Sequence, residues 1–268
     1  MNAAMNLSMP LSKPPVLLEP EHLGTQVLAV IMWAINLPWL VGMMVFMMLL
    51  MLVIPADNIQ GISRIYTRVQ LLLLGCRYRV ELDPAVDPDS VYMFCQNHVN
   101  LLDHITMYTA TPHFKQGMEL EQHFKIPVYG WFMKLRGTIG VRRGSMTGTR
   151  QLLQHMRAEV DKGHSLLVFP EGTRTRTGRV GTCRKGVFFL ARDLGIPVVP
   201  VAVTGMYETM RTGSWLLRPG YTVTVHVMAP IPTVDLTDEQ IPQLAQTVQR
   251  RLAENVDIYW NGKQERTT

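Results

Sequence analysis

The stretch Gln96-Asn97-His98-Val99-Asn100-Leu101-Leu102-Asp103 sets an imidazole five positions ahead of a carboxylate. Ser90-Val91-Tyr92-Met93-Phe94-Cys95 before it reads as a short buried strand, and Leu101 to Tyr108 as the start of a helix. On such a strand-to-helix turn, Asp103 can fold back onto one ring nitrogen of His98. That contact sets the tautomer and leaves the other nitrogen to take a proton. In a catalytic triad the same pair activates a serine of the enzyme itself. This chain has no Gly-x-Ser-x-Gly elbow, so the expected nucleophile is a hydroxyl of the substrate. Read alone, the spacing also suits an N-cap aspartate beside a packed histidine, and other segments must decide.

Phe169-Pro170-Glu171-Gly172-Thr173-Arg174 follows the strand-like Leu166-Leu167-Val168. Proline stops the strand, and glycine lets backbone approach a ligand. Thr173 and Arg174 supply a hydroxyl and a forked cation, with Arg176, Arg179, Arg184 and Lys185 close behind. A loop of this composition, with free backbone amides, suits a phosphate monoester. Gly137 to Arg143 reads as a strand ending on two arginines, Arg142 and Arg143, of which side-chain alternation lets one face a site. Val199-Pro200-Val201, ending near Gly205, marks a further strand terminus. In an α/β sheet such loops converge on one edge, where these folds place their sites.

Short strands alternating with helices must position these segments. Strands are expected at 77–82, 113–117, 138–141, 165–169, 197–203 and 221–227. Helices are expected at 59–74, 146–162, 185–194 and 238–256, with 127–135 an apolar helix or loop. The implied fold class is α/β, a single mixed sheet flanked by helices and preceded by an N-terminal hydrophobic helical hairpin. The expected division is a flexible segment at 1–22, a membrane-embedded helical pair at 23–56 and a catalytic domain at 57–268.

The hairpin rests on the run from Leu23 to Ile54. No Asp, Glu, Lys or Arg occurs between His22 and Asp57. The run exceeds the ~20 residues one spanning helix needs, and Asn36-Leu37-Pro38 interrupts its middle. Proline removes a helical hydrogen bond, so a break there would give two short helices dipping into one leaflet; the other reading is one tilted, kinked span. Trp33 and Trp39 flank the break and are expected at headgroup depth. Arg64, Arg68, Arg77 and Arg79 downstream place the body on the cytoplasmic face of the inner membrane. The net charge of +5 admits nucleic acid or an anionic lipid surface, but the Lys/Arg-dense helices and aromatic platforms of nucleic-acid binders are missing. Cys76, Cys95 and Cys183 are scattered, forming neither a disulfide framework nor a zinc site.

Taken together, Asn97-His98 with Asp103, Gly137 to Arg143, Phe169 to Arg174 and Val199-Pro200-Val201 resemble the four ordered blocks of the glycerolipid acyltransferases, and the likeness covers roughly residues 60–230. Among these, the pattern resembles the 1-acyl-sn-glycerol-3-phosphate acyltransferases of the bacterial type. The resemblance implies that His98 is a general base and Asp103 its orienter. It implies that Arg143 and Arg174 bind the acceptor's phosphate, that Glu171, Gly172 and Thr173 shape the same pocket, and that Lys115 occupies a further basic position. It implies an acyl-CoA or acyl-carrier protein donor, lysophosphatidic acid as acceptor, membrane lipids as surroundings, and no metal or organic cofactor. Other acceptors within the class are another lysophospholipid, an ornithine-type lipid or glycerol 3-phosphate. The alternative of a different class is a non-catalytic lipid-binding membrane protein, against which the intact His98 and Asp103 argue. Asn100 stands where the family usually carries serine, a change expected to bear on acceptor choice.

Overall fold

The computed structural model describes residues 22–142 and 146–264. Seven strands form one mixed sheet: β1 (Arg77–Leu82), β2 (Met93–Gln96), β3 (Lys115–Leu120), β4 (Ile139–Val141), β5 (Ser165–Val168), β6 (Val198–Thr204) and β7 (Thr222–Val227). Their spatial order is β1-β7-β6-β2-β5-β3-β4, and all neighbours are parallel except β6 and β7. The three central strands are buried on both faces, hence their mostly apolar content.

Alternation along these strands divides the core in two. Met93, Cys95, Leu166, Val168, Val198 and Ala202 point to one face, under α6 (Gly186–Leu194) and α8 (Ile241–Gln264). Phe94, Leu167, Val199, Val201 and Val203 point to the other, under α2 (Gln60–Leu73) and α3 (Asp103–Ala110). Each expected strand and helix of the domain is present, with ends displaced by a few residues. Two short pieces are additional: a 3-10 turn at Glu121–Lys125 and α7 (Met206–Thr209), too brief to show a period.

The expected break at Pro38 is absent. Leu23–Met51 is one helix, α1, passing through Pro38, so the two-helix reading of this run is corrected. The hydrophobic pair at the N-terminus is instead α1 with α2, which pack together, while α1 also leans on α4 (Tyr129–Arg136). The reason is packing on both sides of the proline. Ala29, Met32 and Asn36 before it, and Met44 and Met47 after it, are buried against the domain. The Asn36 amide donates to Met32 O (2.8 Å) and Leu73 O (3.2 Å) and accepts from Gln70 (2.6 Å). These contacts offset the ~3 kcal/mol that an interior proline costs. Both tryptophans are engaged by the domain: Trp33 donates to Trp215 O (2.7 Å), and Trp39 stacks on Tyr66.

Gly205, between β6 and α7, is the tightest glycine position at this edge of the sheet. Its φ is +83°, and a Cβ there would lie 2.2 Å from Thr222 O. Gly205→Ala is therefore expected to lower Tm by about 5–10 °C, since overpacking adds to a left-handed backbone. Thermal unfolding followed by near-ultraviolet circular dichroism in mild detergent checks this, and an unchanged Tm would mean that β7 yields freely.

Candidate active site

Because β2, β5 and β6 are adjacent and parallel, the residues that follow each of them meet at one edge. His98 leaves the end of β2, the Phe169–Arg174 loop leaves β5, and Gly205 leaves β6. Sequence separation of 73 residues between His98 and Glu171 thereby becomes direct contact.

The imidazole is held on two sides. Its Nδ1 lies 2.7 Å from Asp103 Oδ2. A carboxylate oxygen only accepts here, so Nδ1 carries the proton and Nε2 presents its lone pair. The same Oδ2 accepts from the amides of Val99 (2.6 Å) and Asn100 (3.0 Å). Asp103, in the first turn of α3, is only 1% exposed; its Oδ2 is satisfied by this turn, while its Oδ1 is buried without a hydrogen-bond partner among the described residues. One face of the His98 ring stacks on Phe169, with centroids 4.0 Å apart and planes at 16°. The ring keeps 23% of its side-chain surface, leaving Nε2 reachable from the edge.

Glu171 clasps the backbone. Its Oε1 accepts from His98 N (2.8 Å) and its Oε2 from Gly181 N (2.6 Å), tying the β2 turn to the basic loop. Burial pushes its carboxyl up to about 7, outweighing the two amides that favour the ionised form. Thr175 N donates to His98 O (2.8 Å), which brings its exposed neighbours Arg174 and Arg176 beside the turn. Gly172 adopts φ +69°, and a Cβ there would lie 2.8 Å from Arg184 Nε, which donates to Glu171 O. Thr173 is exposed.

Other expectations come out differently. Arg179 pairs with Asp257 (2.7 Å), and Arg142 with Glu121 (2.9 Å). Arg143 lies outside the described residues. Lys115 is not brought to this edge. It sits in register with Ser165 at the start of β5, is 1% exposed, and donates to the carbonyls of Thr111 (3.2 Å) and His113 (2.9 Å). Parallel pairing puts the first residue of β3 at the opposite end of the sheet from His98, which corrects its assignment to the pocket. Asn100 is fully buried: it donates to Met206 O (2.9 Å) and accepts from Leu102 N (2.7 Å). Its amide is thus committed to the turn and to the start of α7.

Asn97 and Phe169 have roles that the motif reading missed. Asn97 exchanges two hydrogen bonds with Val203 (3.0 and 2.7 Å), extending the β2–β6 ladder through a side chain. The visible signal was a pair of polar residues, Gln96-Asn97, closing a buried apolar strand. Among the described residues no cluster of three or more His, Cys, Asp or Glu could hold a metal ion.

A parallel-edge α/β domain with a buried-carboxylate histidine and a basic loop has the form of a group-transfer enzyme of the acyltransferase type. Residues 78–204 match the sequence family described as Acyltransferase. The chain is 36% identical over 131 residues to a chloroplastic 1-acyl-sn-glycerol-3-phosphate acyltransferase of Brassica napus, covering 49% of this chain and 37% of that one. It is 30% identical over 205 residues to the 1-acyl-sn-glycerol-3-phosphate acyltransferase of Saccharomyces cerevisiae, covering 72% and 64%. The crystal structure of the 1-acyl-sn-glycerophosphate acyltransferase of Thermotoga maritima shares the fold, with a TM-score of 0.75 at 20% identity over 88% of this chain and 96% of that chain. Residues 78–204 belong to the Acyltransferase family. It spans less than half the length of the first plant relatives it matches.

Glu171 gives a pH signature. Its folded-state pKa near 7 exceeds the ordinary glutamate value, so the folded chain binds the proton more tightly than the unfolded one. The associated stability is full at pH below ~4.3 and is lost as pH rises through about 7, an effect on the order of 3–4 kcal/mol. In Glu171→Gln that decline should vanish. Denaturant midpoints measured from pH 4.5 to 8 on both proteins decide it; parallel curves would show that Glu171 does not take up the proton.

Proposed function

We propose that this chain transfers a fatty acyl group from acyl-CoA or acyl-carrier protein to the 2-hydroxyl of lysophosphatidic acid, giving phosphatidic acid. The observation that carries this reading is the 2.7 Å contact of His98 Nδ1 with a buried Asp103, which leaves Nε2 as a base at the open edge. Nε2 takes the proton of the acceptor hydroxyl as its oxygen attacks the thioester carbonyl. The tetrahedral adduct collapses, the carbon–sulfur bond breaks, and the imidazolium returns the proton to the thiolate. Asp103 stabilises the transient imidazolium without moving. Arg174, exposed and with no carboxylate partner among the described residues, is the proposed ligand of the acceptor's phosphate, with Arg176 beside it.

A covalent cysteine route is disfavoured by the fold. Cys76, Cys95 and Cys183 are all buried, and burial raises each thiol above its ordinary range. Direct transfer to the substrate hydroxyl follows.

His98→Ala is expected to cut turnover by about 10²–10⁴ with folding intact, and Asp103→Asn to cripple it through the wrong tautomer. Arg174→Ala should raise the KM for lysophosphatidic acid about tenfold or more while moving donor saturation less. Radiolabelled acyl transfer to lysophosphatidic acid measures all three. Wild-type turnover in His98→Ala would remove the proposed base.

We also place α1 along the membrane surface, with the domain on the cytoplasmic face. Its outer side, including Leu23, Val30, Ile31, Phe46 and Leu49, is apolar and exposed. Its inner side touches α2, α4 and Trp215 from Ala29 to Met47, and a crossing helix would drag these elements into the hydrocarbon. Single cysteines at Asn2 and at Thr268, in a Cys-free background, should both resist an impermeant thiol reagent in intact cells. Labelling at Asn2 alone would show that α1 crosses.

A further inference from the structure

A second cationic feature lies away from the catalytic edge. Asp103 opens α3, whereas a groove of about 570 Å³ sits at the other end of that helix, against Thr109 and Ala110. Arg64 and Arg68 stand at its mouth, one turn apart on α2. Neither forms an ion pair among the described residues, and no carboxylate lines the groove. The one ionisable oxygen at hand, Tyr78 Oη, is committed as a donor to Thr106 O (2.7 Å). Two adjacent guanidinium groups without a counter-charge repel each other and favour a shared anion, for which their planar forks suit phosphate oxygens.

The walls say what kind of anion. Leu71, Leu72 and Val80 line the groove beyond the arginines, with Leu72 71% and Val80 37% exposed. Ile65, 63% exposed, stands three residues before Arg68 on the same helix. A stripe that alternates cation with exposed aliphatic side chain matches a charged head carrying a hydrocarbon tail, where a soluble anion would leave the aliphatic surface wet. The same helix α2 packs against α1, whose outer side is apolar, so the groove opens beside the lipid-facing surface.

We propose that this groove is a binding site for an anionic phospholipid of the surrounding bilayer. Its phosphate lies between Arg64 and Arg68, and one acyl chain runs along Leu72 and Val80. The site is separate from His98 and Arg174 and rests on the membrane placement of α1, not on the acyl-transfer reaction.

The test uses the full chain in a neutral detergent with a phosphatidylglycerol that carries a diazirine on an acyl chain. After illumination, adducts are mapped by peptide mass spectrometry. Labelling is expected within residues 60–82, displaced by unlabelled phosphatidylglycerol and not by phosphatidylcholine. Arg64→Gln/Arg68→Gln should lower it about tenfold or more, the ratio set by losing a charge-assisted hydrogen bond, with labelling of α1 unchanged as internal control. His98→Ala and Arg174→Ala should leave it intact. Equal labelling in the double arginine variant, or equal displacement by phosphatidylcholine, would overturn the proposal. So would displacement by inorganic phosphate at the lipid's concentration, which would mean an ion site without a tail.

Discussion

One oxygen atom, Asp103 Oδ2, takes three donors: the imidazole of His98 and the amides of Val99 and Asn100. A buried carboxylate without such partners would cost several kcal/mol. Here the donors come from the turn that the carboxylate itself organises, so the charge and the loop conformation stabilise each other. The turn is short because the carboxylate begins a helix, and a helix N-terminus favours negative charge. The histidine is thus oriented by the same contact that ends β2 and starts α3.

Around that contact the edge is assembled from backbone clasps. Glu171 bridges the amides of His98 and Gly181, and Asn97 carries the ladder on to Val203. Both are buried polar side chains; Glu171 joins two loops, and Asn97 spends both of its bonds on one residue of β6. Phe169 then closes one ring face of the base, and the cations of Arg174 and Arg176 stay outside, in solvent, where no desolvation is required before a phosphate arrives. Burial is spent on the groups that orient, and exposure is kept for those that would bind.

The N-terminal helix is tied into the same body. Asn36 and Gln70 form a buried polar link between the apolar α1 and the amphipathic α2, and α1 is held on both sides of Pro38. Such a link is costly to open in a low-dielectric surrounding, so it sets the register of α1 on α2 as well as adding stability. The arrangement ties the apolar outer surface of α1 to the domain.

Much of this was legible in the residues. Alternation and turn chemistry located every strand of the sheet, because both are local and depend on period and φ alone. The His98–Asp103 spacing was also local, since the two residues flank one turn. Non-local facts were not legible. Lys115 looks like any basic residue near a motif until parallel register with Ser165 puts it at the far end of the sheet. Pro38 reads as a break because its cost is intrinsic to the helix, whereas the contacts that outweigh it belong to α2 and α4. Phe169 and Glu171 reach His98 only because β2 and β5 are neighbours, an adjacency that no periodicity encodes. The chain's local chemistry thus decided which groups exist and which element carries each. Long-range pairing of strands and helices decided which of them meet, because that choice depends on burial summed over the whole sheet.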